Sequence, residues 1–161
     1  MDAGVDFLWF PTPNFGGYCI SRKTYEKCIS ESNIRALKRI KDNGAQIVLH
    51  TCGLYDDRFD LVLKESGDAW HISDTSTKKV KEQYGDKVSL MGSIPCVPVL
   101  MEGTEQEVYD FCYKECMDAA QDGRFILSGD CDVPPGTSDE NMKAAVRAAK
   151  DAEKILFGKT K

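Results

Sequence analysis

Five times along this chain a glycine, one or two polar residues and a short apolar run follow one another. The copies are Gly4-Val5-Asp6-Phe7-Leu8-Trp9-Phe10, Gly44-Ala45-Gln46-Ile47-Val48-Leu49, Gly67-Asp68-Ala69-Trp70-His71-Ile72, Gly85-Asp86-Lys87-Val88-Ser89-Leu90-Met91 and Gly123-Arg124-Phe125-Ile126-Leu127. The runs are too short for helices and too continuous for strands with one wet face. They fit parallel strands covered on both sides. Four of the glycines follow segments of helical character, where a left-handed residue closes a helix.

The segments between the runs read as helices. Over 22–42, Tyr25, Cys28, Ile29, Leu37 and Ile40 fall on one face. Thr104 and Glu107 have the spacing of a capping box and open a helix over 104–121 carrying Val108, Phe111 and Cys112. Ser138 is placed to cap a helix whose apolar face holds Met142, Ala145, Val146, Ala149 and Ala152. Shorter helices are expected over 56–65 and 76–84. Strands alternating with helices imply an α/β fold with a parallel sheet and right-handed crossovers. Five units exceed a small βαβ motif and fall short of a closed eight-stranded barrel.

Composition sets the broad class. With 42% hydrophobic and 29% charged residues over 161 positions, the chain has a globular composition with enough material for a core. A net charge of −5, with Lys and Arg scattered along the helices, argues against nucleic acid or an anionic membrane as partner. No apolar stretch approaches the roughly 20 residues of a membrane span. The segment Met1-Asp2-Ala3-Gly4-Val5-Asp6 lacks the features of a signal peptide, so a cytoplasmic location is expected. In that setting the seven cysteines read as thiols or metal ligands, not as a disulfide framework. Cys19, Cys28, Cys112 and Cys116 are expected to pack as small apolar residues.

The chemistry concentrates after two of the apolar runs, in His50-Thr51-Cys52-Gly53 and Ser128-Gly129-Asp130-Cys131-Asp132. Residues two apart on a strand leave the same side of the sheet, so a metal could take His50 and Cys52 together. Cys131 is the third soft ligand if the fold brings the two strand ends together. One His and two Cys with an open fourth position is a catalytic zinc arrangement. Strand carboxyl ends are also where α/β folds place their sites. His71 lies within a run and reads as a packed strand residue, outside the ligand set.

The segments Ile47-Val48-Leu49-His50-Thr51-Cys52-Gly53, Gly85-Asp86-Lys87-Val88-Ser89-Leu90-Met91-Gly92 and Phe125-Ile126-Leu127-Ser128-Gly129-Asp130-Cys131-Asp132-Val133-Pro134-Pro135-Gly136-Thr137 carry a resemblance. With helix 104–121 and Glu140-Asn141-Met142-Lys143-Ala144, they make the chain similar to the uroporphyrinogen decarboxylase superfamily, in its cobalamin-dependent methyltransferase branch. That resemblance implies a partial (β/α)8 TIM barrel, the chain forming one domain over 1–161 that corresponds to the carboxyl-terminal part from about the fourth strand. It implies zinc held by His50, Cys52 and Cys131, and methyl transfer from methylcobalamin on a corrinoid partner protein to a thiol acceptor such as coenzyme M. A folate-type acceptor is also compatible. Asp74 is the candidate for zinc's fourth position, although the local sequence favours it as N-cap of the 76–84 helix. Family members carry an Asn and an Asp where this chain has Ser93-Ile94-Pro95-Cys96, and Cys96 reads as a buried thiol.

Two alternatives accompany this reading. One is uroporphyrinogen decarboxylase-type decarboxylation, which uses no zinc and is disfavoured by His50, Cys52 and Cys131. The other is a non-catalytic half-barrel subunit that associates with a complementary half-barrel chain.

Overall fold

The computed structural model describes residues 4–158, so the reading of Met1 to Ala3 lies outside it. The elements run β1 (Phe7–Pro11), α1 (Arg22–Thr24), a π-helical turn (Tyr25–Ser30), α2 (Glu31–Lys41), β2 (Gln46–Thr51), α3 (Phe59–Lys64), β3 (Ala69–Ile72) and α4 (Thr77–Tyr84). They continue through β4 (Ser89–Ile94), a second π-helical turn (Cys96–Met101), α5 (Glu105–Ala119), β5 (Phe125–Gly129) and α6 (Asp139–Phe157). All five expected strands form, each alternating with helix. The chain divides between Thr75 and Ser76 into two compact units. In the first, β1, β2 and β3 pair in parallel in that order; in the second, β4 pairs in parallel with β5. Among the described residues no helix is long and apolar enough to cross a membrane.

In the first unit, side-chain alternation separates a core face from a site face. Ile47, Leu49, Thr51, Trp70 and Ile72 are buried on the core face, where Trp70 stacks on Phe59 of α3 with ring centroids 5.3 Å apart. The opposite face carries Trp9, Val48, His50 and His71. Leu49 packs so closely beneath Gly67 that a Cβ there would lie 2.6 Å from its side chain. Close approach, not a left-handed turn, therefore explains Gly67, and Ser66 takes the positive φ of 62° instead.

The helical segment over 22–41 differs from the expected face. Tyr25, Ser30, Asn33 and Leu37 are the buried residues, whereas Cys28 is exposed. The wider π-helical turn places Ser30, five residues after Tyr25, on the inner side and swings Cys28 outward. Cys19, in the preceding loop, is likewise exposed and does not pack.

Tyr25 and Asn33 converge on Glu65 at the C-terminus of α3. The Tyr25 hydroxyl donates to Oε1 at 2.6 Å, and Asn33 Nδ2 donates to Oε2 at 3.0 Å. Glu65 is 2% exposed, and burial pushes its carboxyl from an ordinary value of 4.5 up to about 7, against the two hydrogen bonds. Its folded value lies above its unfolded one. The contribution to stability is therefore complete below about pH 4.5 and is lost as pH rises through about 7. The full span is worth roughly 3 kcal/mol at 1.36 kcal/mol per unit. Urea denaturation at pH 5.5 and 8.5 should show the wild type weakening over that interval and Glu65→Gln weakening much less. Identical pH dependence in both proteins would refute this.

In the second unit both expected caps form. Thr104 and Glu107 make a capping box on α5, and the Ser138 side chain accepts from Asn141 N at the start of α6. The buried face of α6 is Asn141, Ala144, Ala145, Ala148 and Ala152, one position round from the expected stripe. Met142 and Val146 are 40% and 53% exposed. Alanines let α6 approach α5 closely, and Arg147 to Glu105 (2.8 Å) and Tyr109 to Asp151 (3.1 Å) join the two helices at the edges. Asn141 Nδ2 donates to the carbonyls of Leu100 and Gly103, tying α6 to the second π-helical turn and the residues after it. Cys112 and Cys116 are buried as expected, and burial pushes their thiols up to about 12 and about 11. They are inert packing groups.

Candidate metal centre

His50 lies inside β2, one residue before its end, and Cys52 directly follows the strand. The backbone there is fastened from the loop after β1. Thr12 N and Thr12 Oγ1 both donate to the His50 carbonyl at 2.9 Å. The buried Tyr55 hydroxyl lies 2.7 Å from the Thr12 carbonyl and 2.8 Å from its Oγ1. Burial raises the Tyr55 hydroxyl above its ordinary range, so it stays protonated as a donor. Gly53 then turns the chain with φ at 94°, a left-handed conformation that disfavours any other residue. Gly16 lies against this turn, where a Cβ would come within 3.2 Å of the Cys52 carbonyl.

The side chains on this face form an aromatic group. The β2–β3 register pairs His50 with His71, so their rings project side by side. Their Nδ1 atoms lie 2.6 Å apart and the ring centroids 4.6 Å. Trp9 stacks on His50 at 5.3 Å with a 28° tilt and meets His71 at 4.9 Å. His50 and His71 are 7% and 3% exposed. With Nδ1 of His50 engaged by His71, Nε2 is the ring atom a metal would take. A ligating imidazole held through its other nitrogen is a recurrent feature of metal sites.

Cys131 belongs to the second unit, two residues past β5, and is exposed. Asp130 sets the start of its loop: Asp130 N donates to the Ile94 carbonyl at 2.8 Å, and Asp130 Oδ1 accepts from Cys96 N at 3.0 Å. The Cys96 thiol donates to the Cys131 carbonyl at 3.3 Å. Cys96 is buried as expected, and desolvation raises its thiol above the ordinary value. A Cβ on Gly129 would come within 2.6 Å of Cys96 Sγ, so only glycine lets these two segments meet.

Asp74 follows β3 on an exposed turn with φ at 47°. It does not cap the next helix. Ser76 does, its side chain accepting from Lys79 N at 3.3 Å. An N-cap needs extended backbone, which Ser76 has and Asp74 lacks.

Sequence reasoning placed His50, Cys52 and Cys131 at the carboxyl ends of β2 and β5 and assigned His71 to packing. His71 is packed, but against the one imidazole proposed as a ligand. No local signal in the sequence marks this; only the β2–β3 register makes them neighbours. Arg58, 1% exposed, was also missed. It donates to the carbonyls of Phe15 at 2.7 Å and Ile20 at 3.1 Å, and pairs with Asp57 at 2.8 Å. It thereby holds the loop that carries Thr12 and Gly16.

A methylated-thiol–coenzyme M methyltransferase of Methanosarcina mazei is 28% identical over 151 residues, covering 92% of this chain. The chain spans 38% of that relative's length. The solved structure of a methyltransferase from Methanosarcina mazei matches 93% of this chain and 43% of its own, with a TM-score of 0.82 at 20% identity. That likeness shows the fold, α/β with five parallel strands alternating with helices as in part of a (β/α)8 barrel. Uroporphyrinogen decarboxylase (URO-D) is the family that matches residues 1–152, and this chain belongs to it.

Proposed function

We propose that this chain is the zinc-holding, carboxyl-terminal part of a barrel that transfers a methyl group from a methylated corrinoid protein to a thiol such as coenzyme M. The observation that carries the reading is His50 and Cys52 at one strand end, with the His50 ring already held through Nδ1 by His71. One imidazole and two thiols are a donor set suited to zinc, the resemblance supplying Cys131 as third ligand and Asp74, on the exposed turn after β3, as the candidate for the fourth. Bound zinc would supply acidity, stabilising the acceptor sulfur as the thiolate that is its nucleophilic form. The residues of the chain do the positioning. His50, Cys52 and Cys131 hold the ion, Thr12 and Tyr55 fix the His50 backbone, and Trp9 covers the imidazole pair. The name of the 28% identical relative supports coenzyme M as acceptor.

A complementary half-barrel chain is a second element of the proposal. Phe7 on β1 and Ile126 on β5 are 63% and 53% exposed, and large apolar residues on strands call for cover. Metal analysis after chelation and reloading tests the zinc reading, which expects about one zinc per chain. Demethylation of methylcobalamin, followed by its absorbance, should then depend on added coenzyme M. A folded protein without zinc that decarboxylates a porphyrinogen would favour the family's metal-free chemistry instead.

A further inference from the structure

We infer that His71 is a positioning residue that locks His50 in the tautomer able to bind a metal through Nε2. This rests on the zinc reading above and adds to it a residue outside the ligand set. Two imidazole nitrogens 2.6 Å apart cannot both carry a hydrogen, nor can both present a lone pair. One donates and the other accepts. If His71 donated, neutral His50 would carry its hydrogen on Nε2, and that atom would have no lone pair for a metal. If His50 donates from Nδ1, its Nε2 lone pair is directed away from His71 and His71 carries its own hydrogen on Nε2. Only the second arrangement is compatible with His50 as an Nε2 ligand.

The surroundings preserve this pair. Both residues are more than nine-tenths buried, adjacent in the β2–β3 register, and in contact with the Trp9 ring. Thr51 Oγ1 donates to the His71 carbonyl at 3.1 Å, and the two Thr12 donors hold the His50 carbonyl. The backbones on both sides are therefore fixed and hold the rings side by side, and a half-turn of either ring would put a carbon where a buried nitrogen now has its hydrogen-bond partner. A metal meeting His50 finds the lone pair already in place.

Two variants separate this role from simple packing. His71→Phe keeps an aromatic ring but removes the acceptor, whereas His71→Asn places an amide oxygen near the former Nδ1. Zinc affinity, read by competition with a chromogenic chelator, should fall roughly 10–100-fold in His71→Phe. It should return close to wild type in His71→Asn. Long-range nitrogen–proton NMR of the metal-free protein gives a readout independent of zinc. It should show His50 protonated on Nδ1 in the wild type and shifted toward Nε2 in His71→Phe. A wild-type His50 protonated on Nε2, or equal zinc affinity in all three proteins, would overturn the inference. If the wild type binds no zinc but the tautomers behave as stated, the functional reading fails and the positioning role stands. If His71→Phe does not fold, the wild-type and His71→Asn spectra still decide.

Discussion

Cys52→Ser should lose zinc binding by far more than the roughly 10–100-fold expected for loss of an outer partner such as His71. A serine hydroxyl stays protonated near neutral pH and is a hard, weak donor, whereas zinc draws much of its affinity from thiolate. Cys131→Ser should match it, although that residue lies in the other unit. The variant Cys28→Ser, at an exposed position in the π-helical turn, should keep its zinc. The folds should survive, because Cys52 is only half-buried and Cys131 exposed, where such replacements cost within about 1 kcal/mol. Elemental analysis beside a thermal melt separates metal loss from unfolding. Retention of zinc by Cys131→Ser alone would show that the two strand ends do not share one ion.

Arg58→Ala should destabilise the protein by roughly 2–4 kcal/mol, from two buried carbonyls left unpaired and the void opened, since its ion-pair partner Asp57 is half exposed and adds little. Its guanidinium is 1% exposed and lies 5.4 Å from the Tyr25 ring centroid and 5.9 Å from that of Tyr55. Truncation would strand the carbonyls of Phe15 and Ile20 and leave a void beside two tyrosines. Arg58→Lys should recover little, since a single ammonium cannot reach two carbonyls and Asp57 with the spread of a guanidinium. Urea denaturation measures the loss, and a change under about 1 kcal/mol would remove Arg58 from the explanation of this loop. The same variant should show faster proteolysis across residues 12–20.

Features coded within a few residues were readable in the sequence. The Thr104 and Ser138 caps, the five strands and the buried Cys112 pair all depend on local spacing. The misassigned faces have a different cause. In α6 the stripe was read from the larger residues Met142 and Val146, but close helix packing selects alanine, and the larger side chains remain outside. At 22–41 a π-helical turn changes the period, so a helical wheel that places Tyr25 and Leu37 inside wrongly carries Cys28 in with them. Asp74 and Ser76 compete for one cap, and the outcome depends on backbone angles that composition does not encode. His71 and Arg58 acquire their roles through partners 21 and 38 to 43 residues distant. Such pairings arise only from strand register and loop path.

The two tryptophans stand on opposite faces of the same three strands. Trp9 is 45% exposed against the imidazole pair, and Trp70 is fully buried against Phe59. Their emission colours differ accordingly, the wet indole red and the dry one blue. The chain thus carries separate optical channels for its chemistry and its interior: quenching of the red component follows events at the imidazoles, while the blue component follows the integrity of the fold.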